Sequence, residues 1–331
     1  MEYILFLCII LAFIVTFICT PFWIKRARDA KLVGRDIHKT IKEKVAEAGG
    51  ICVITGFIFG LLTYIAIQTF YFHNQTKSLQ IMAVLSTILI IALIGLIDDI
   101  LGWKIGLRQW QKPLLTLFAA LPMVVINAGQ STMAIPLIGR IDVGLLYPLF
   151  FIPIAIVGSA NGFNMIAGYN GLETKMGIVI LFILGFISWA IGNSSAAIIA
   201  LIMVSALIAF LYFNKYPARV FPGNILTYSV GALIGVIAIL GNVERIALIL
   251  FIPYFIELIL KLRGKFQKES FGKLLKDGTL DIPYEKFYGL EHIMIYLVKR
   301  IKKKVYENDV VNIILILEII FIAISFVMWL L

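Results

Sequence analysis

The chain has 331 residues, 61% of them hydrophobic and only 15% charged, with 29 Lys and Arg against 19 Asp and Glu. Soluble domains carry roughly 25% charged residues, and a mean hydropathy of +0.99 excludes that class. Long runs such as IILILEIIFIAISFVMWLL do not alternate as barrel strands do, so the fold class is all-α, a polytopic helical membrane protein.

In chain order, ten spans are predicted at roughly 3–24, 49–71, 79–97, 113–129, 145–162, 176–192, 195–213, 225–241, 246–262 and 310–331. Each is near the ~20 residues that cross the hydrocarbon core. The first run lacks a basic leader and a small-residue cleavage site, and reads as a retained helix. Residues 1–331 form one integral membrane domain, and 263–309 is an ordered polar loop within it. All basic residues except Lys77, Arg140 and Arg245 fall on one set of alternate loops. The positive-inside rule makes that side cytoplasmic and, with ten spans, both termini external. Cys8, Cys19 and Cys52 lie in apolar runs without metal-ligand spacing and read as small hydrophobic residues.

Four cytoplasmic segments carry the informative polar residues. The first, AEAGG, places Glu47 at the membrane surface; an acid there can also simply complement a helix N-terminus. The second, LIGLIDDILGW, closes an apolar span with Asp98 and Asp99, and Arg108 and Lys112 follow. Neighbours on a helix point about 100° apart, so the two carboxylates take different partners. The third, GSANGFNMIAGYNGLE, holds four glycines and three asparagines within residues 158–173. Helix packing explains Gly158, Ser159 and Ala160 but not three amides. The fourth, PARVFPGN, sets Phe221 among polar residues, suited to stacking on a base or to a place in the core. Acids, amides and basic residues on one face suggest a Mg²⁺-assisted phosphoryl reaction, with no Walker motif and no HExxH. A transporter or lipid flippase would also use glycine-broken helices, but at mid-membrane.

Together AEAGG, LIGLIDDILGW with its following QK, NGFNMIAGYNGLE and PARVFPGN resemble the polyprenyl-phosphate N-acetylhexosamine-1-phosphate transferases, in order and spacing and along the whole chain. NMIAGYNGLE is similar to the eukaryotic and archaeal dolichyl-phosphate branch. The resemblance implies a cytoplasmic site, UDP-GlcNAc or a related UDP-sugar as donor, and a polyprenyl or dolichyl phosphate as acceptor. It implies release of UMP, Mg²⁺ or Mn²⁺ as cofactor, a role in protein N-glycosylation and a possible homodimer. By position, Asp98 and Asp99 match the paired acids near the acceptor phosphate and Lys112 the lysine that follows them. Asn164 matches a magnesium ligand, Asn161 and Asn170 the donor pocket, Phe221 the uracil-stacking position and Glu47 the sugar-pocket acid. Arg263, Lys268 and His292 are the candidates for the last loop's diphosphate or sugar contact. One departure is sharp: where the family places a magnesium-binding aspartate, this chain has Asn224, which keeps a carbonyl oxygen but loses the charge. An active variant with a weaker metal site and a catalytically impaired relative both follow from that.

Overall fold

Inside a bilayer each apolar run must satisfy its own backbone N–H and C=O groups, and a helix does so internally. The computed structural model describes residues 2–39, 44–135 and 139–330; Lys42, one of the basic residues counted above, lies outside them. Among the described residues the helices are α1 (Phe6–Asp29), α2 (Gly50–Ala66), α3 (Ser78–Ile105), α4 (Gln111–Val125), α5 (Ile152–Met165) and α6 (Leu172–Ala190). Then follow α7 (Ser194–Asn214), α8 (Gly223–Gly241), α9 (Glu244–Leu250), α10 (Ile252–Arg263), α11 (Leu290–Ile301) and α12 (Glu307–Leu330). Three two-stranded antiparallel hairpins complete the chain: β1 (Val33–Arg35) with β2 (Lys44–Ala46), β3 (Thr132–Ile135) with β4 (Gly139–Asp142), and β5 (Lys273–Leu274) with β6 (Leu280–Asp281).

Among the described residues eight helical segments are long and apolar enough to span: α1, α2 with its π-helical continuation to Tyr71, α3, α5 with the π-helical turn that precedes it from Tyr147, α6, α7, α8 and α12. The other two predicted spans are present as a shorter and an interrupted helix. The run at 113–129 forms only the 15 residues of α4, about 22 Å at 1.5 Å per residue. The helix stops there because Asn127 turns to φ 50. The run at 246–262 is broken into α9 and α10 at Phe251, with Pro253 in the first turn of α10. Proline lacks the N–H that a continuous helix needs and crowds the preceding turn.

Helix α8 is the axis. It packs against α2, α3, α5, α6 and α7, and almost all of its surface is buried. Small residues allow the closest approach. A Cβ added at Gly231 would lie 2.5 Å from the Ser159 carbonyl oxygen, so α5 and α8 touch through glycine, Ser159 and Ala160. Helices α1 and α12, by contrast, leave large apolar side chains exposed, such as Phe6, Phe22, Ile319 and Val327. Such faces suit lipid rather than water. The loop at 263–309 contains β5, β6 and α11, and the Leu280 N–H donates to the Val305 carbonyl at 2.8 Å.

Candidate active site

The end of α3 and the start of α8 build the centre. Asp99 accepts the backbone N–H groups of Asn224 at 2.7 Å and Ile225 at 3.1 Å. These are the donors that the first turn of a helix leaves free, and a carboxylate there also meets the positive end of the helix dipole. The approach requires glycine at 223, which sits at φ +72 and whose added Cβ would lie 2.3 Å from Asp99 Oδ2. Asp98 turns elsewhere, as helical geometry predicts. Its Oδ2 meets Lys112 Nζ at 2.8 Å and accepts from Asn224 Nδ2 at 2.9 Å. Its Oδ1 accepts the Leu107 N–H at 2.7 Å. The chain can fold back over Asp98 because Gly102 breaks the helix at φ 69. Asp98 is 4% exposed, so little water screens its pair with Lys112.

Helix α5 adds the amides. Asn164 Oδ1 accepts from the Thr227 hydroxyl at 2.7 Å, and Thr227 lies one turn after Asn224 on α8. Asn161, one turn before Asn164, donates from Nδ2 to Thr116 Oγ1 of α4 at 2.9 Å and to the Val157 carbonyl at 2.9 Å. Asn161 also lines an apolar cavity of about 420 Å³ between α5, α8, α9 and α10, whose other walls include Pro113, Phe151, Ile239, Phe255 and Leu258.

The first and fourth sequence segments form one ribbon. The Phe221 N–H donates to the Ala46 carbonyl at 2.7 Å, the Gly49 N–H to Phe221 at 2.9 Å and the Gly50 N–H to Pro222 at 2.8 Å. Glu47 and Phe221, both half-buried, are thereby held next to the start of α8. The Glu47 carbonyl accepts from Trp23 Nε1 at 2.8 Å. Burial pushes the Glu47 carboxyl above its ordinary range.

The remaining candidates lie apart from the paired acids. Asn170 is buried; its N–H donates to Glu307 Oε1 at 2.6 Å, and its Nδ2 to Glu307 Oε2 at 3.0 Å and to Asp36 Oδ2 at 2.9 Å. Arg263 is exposed in the last turn of α10. His292 is fully buried, and both ring nitrogens are occupied. Nδ1 accepts from the Tyr288 N–H at 3.2 Å, which leaves the Nε2 proton to donate to the Phe271 carbonyl at 3.2 Å. Burial also holds its imidazole below the ordinary histidine range. In this arrangement His292 has no free nitrogen for a substrate; it ties the start of α11 to the preceding loop.

Residues 81–242 match the sequence profile of glycosyl transferase family 4. Over 323 residues, 97% of this chain and 95% of the relative, the chain is 38% identical to a Saccharolobus solfataricus protein provisionally named UDP-N-acetylglucosamine–dolichyl-phosphate N-acetylglucosaminephosphotransferase. The chain belongs to glycosyl transferase family 4. Within that family, the UDP-N-acetylglucosamine–dolichyl-phosphate N-acetylglucosaminephosphotransferase of Dictyostelium discoideum is 29% identical over 269 residues, 70% of this chain and 65% of the relative. A phospho-N-acetylmuramoyl-pentapeptide-transferase of Streptococcus thermophilus is 32% identical over 259 residues, 74% of this chain and 75% of the relative. The family 4 match runs from α3 through α8, and so includes Asp98, Asp99, Lys112, Asn161, Asn164, Asn170, Phe221 and Asn224. Glu47, Arg263 and His292 lie outside it.

In this family 4 protein, sequence reasoning missed Thr116, Thr227, Asp36 and Glu307. A threonine one turn after Asn224 carries no signal of its own. Asp36 lies in a basic stretch and reads as a solvated acid, and Glu307 heads α12 and reads as a helix-dipole acid.

Proposed function

We propose that the protein transfers GlcNAc-1-phosphate from UDP-GlcNAc to dolichyl phosphate and releases UMP, a first membrane step of lipid-linked glycan assembly for protein N-glycosylation. The observation that carries this reading is a juxtaposition. Buried Asp98, with half-buried Lys112 and Asn224 on it, stands beside an apolar cavity whose wall includes Pro113, next to Lys112 in the chain, and Asn161. An isoprenoid chain suits the apolar wall, and its phosphate then reaches the lysine. The names of the relatives support the same donor and acceptor.

A phosphate's second pKa is near 6, so much of the acceptor is already dianionic at neutral pH. Its oxygen attacks the phosphorus next to the sugar and forms the new P–O bond. The bond from that phosphorus to the bridging oxygen breaks, and UMP leaves with the electron pair. Lys112 anchors phosphate charge as it redistributes. Asp98 is already engaged by Lys112, the Asn224 amide and the Leu107 N–H, so it acts by aiming the first two. Asp99 fixes the first turn of α8 and with it Asn224 and Thr227. Phe221 stacks on the uracil, Glu47 meets the sugar, and Asn161 and Asn170 meet the donor.

The donor set fits magnesium. Asn224 touches Asp98, and Thr227 joins Asn164 to the same turn of α8, so the nearby ligands are hard oxygens. Asn164, Asn224 and Asp98 would hold Mg²⁺ (or Mn²⁺), which when bound supplies positive charge against the diphosphate. Two of these three ligands are neutral. The substrate's own phosphates therefore complete the charge.

The basic loops support a cytoplasmic site with both termini outside. The test uses purified protein in lipid nanodiscs with UDP-GlcNAc. UMP release that requires both dolichyl phosphate and Mg²⁺ is the expected result. No UMP under any combination contradicts the reading and favours a transporter or an impaired relative.

A further inference from the structure

A second polar cluster is assembled from three distant parts of the chain: the loop after β1, the turn between α5 and α6, and the first turn of α12. At its centre is Asn170, whose side-chain NH₂ donates to Asp36 Oδ2 and Glu307 Oε2 and whose backbone N–H donates to Glu307 Oε1. Partners 134 and 137 residues away converge on one side chain that is 4% exposed. A carboxylate only accepts hydrogen bonds, so the amide must turn its NH₂ toward the two acids. Its Oδ1 is thereby left as the free acceptor, buried and without a partner among the described residues. His38 closes the cluster by stacking on Tyr169 at 4.3 Å between ring centroids, beside Asn170 in the chain.

We propose that Asp36 and Glu307 are positioning residues for the donor. They hold the Asn170 amide in one orientation, so that its Oδ1 accepts a hydrogen bond from an N–H or O–H of the nucleotide-sugar. The inference rests on the reading that Asn170 meets the donor. It adds that the final helix, outside the match to the family, completes the donor site.

Asp36, His38 and Glu307 also have the residue types of a metal centre, with ligand atoms within 4.8 Å of one another. The positive charge is already supplied there. Lys39 Nζ lies 3.1 Å from Asp36 Oδ2, and the Asn170 NH₂ faces both acids. A second cation would face this ammonium and these N–H donors.

The test compares Glu307→Gln, Asp36→Asn and Asn170→Ala in the full chain. A glutamine or asparagine offers one acceptor oxygen where the acid offers two, at nearly the same size. The expected result for Glu307→Gln is a rise of about tenfold in KM for UDP-GlcNAc, the worth of roughly one hydrogen bond to a charged group. kcat and KM for dolichyl phosphate stay within about twofold, within the coupling error of independent sites. Asp36→Asn shifts the same constant in the same direction, and it carries the test if Glu307→Gln does not fold. On an Asn170→Ala background Glu307→Gln has no further effect. If Asn170→Ala raises the donor KM while neither acid variant does, the clamp is wrong and the donor reading stands. If Asn170→Ala leaves the donor KM unchanged, the donor reading itself falls. A Zn²⁺-dependent rise in melting temperature that Glu307→Gln abolishes overturns the clamp in favour of a metal centre.

Discussion

The two polar clusters differ in how the chain builds them. The Asp98–Asp99 cluster is made at one junction, where the end of α3 meets the start of α8, and adjacent residues divide the work: one acid caps a helix, the other orients a lysine and an amide. The Asn170 cluster has no local core. Its two acids lie in loops and helix starts that meet only after the last helix has docked. The first cluster therefore depends on the packing of α3 against α8, and the second on the packing of α12 against the rest.

Lys112→Ala removes both a phosphate anchor and the charge partner of a buried acid. We expect a loss of about 10²–10³ in kcat/KM, the scale of deleting one charge-stabilising group, with Lys112→Arg recovering part of it. An alanine variant within about threefold of the parent would show that the lysine only anchors the membrane surface. Asp99→Asn acts on the cap instead. Its amide can accept from one backbone N–H but not both, so stability falls by about 1–2 kcal/mol, read as a lower melting temperature. If only activity changes, Asp99 contacts substrate and is not mainly a helix cap.

Asn224→Asp sharpens the comparison from the other side. It adds a carboxylate to a set of mostly neutral ligands, at the cost of the N–H now donated to Asp98. Lys112 lies 2.8 Å from Asp98 and can offset part of the new repulsion. The expected outcome is a tighter Mg²⁺ dependence and a few-fold higher turnover. Equal or lower activity at matched expression sinks that idea.

The smallest effect belongs to the Asn170 cluster. Burial lowers the His38 imidazole from 6.5 to about 4, against the opposing pull of Asp36. The unfolded chain therefore binds a proton between these values that the folded chain does not, and stability falls as pH drops from about 6.5 towards 4. Glu307 Oε1 lies 4.0 Å from the His38 Nδ1, Tyr169 stacks on the ring, and Asp36 accepts the His38 backbone N–H with Lys39 paired to it. His38→Gln should flatten that part of the stability profile. An unchanged slope would assign it to the carboxylates alone.

What was legible in the sequence follows the same line. Asp98 and Asp99 stood out because a bare acidic pair ended an apolar run, and one residue's shift on a helix gave them different roles, although both reach Asn224, Asp99 its backbone N–H and Asp98 its side chain. The glycine and asparagine stretch at 158–173 proved to be the end of α5, a turn and the start of α6, with Ser159 and Ala160 serving packing and Asn161 and Asn164 facing polar partners. His292 misled because a lone histidine in a polar loop reads as available; only the tertiary fold shows both of its nitrogens engaged. Asp36 and Glu307 were silent because each has an ordinary local reading, one as an acid in a basic stretch and the other as an acid heading a helix. That α4 is short and that α9 and α10 are separate helices did not show in hydropathy, which averages over helix ends. Pro253 was the local mark of the second break.

The central claim is that an isoprenoid phosphate lies in the apolar cavity with its head at Lys112. Gly158 lines that cavity, and a Cβ added there meets no atom within 4 Å. Gly158→Leu therefore fills acceptor space without displacing the fold. The decisive measurement is the pair of KM values for this variant: the account predicts a higher KM for dolichyl phosphate with that for UDP-GlcNAc unchanged. An unchanged acceptor KM, or a change confined to the donor, would contradict it.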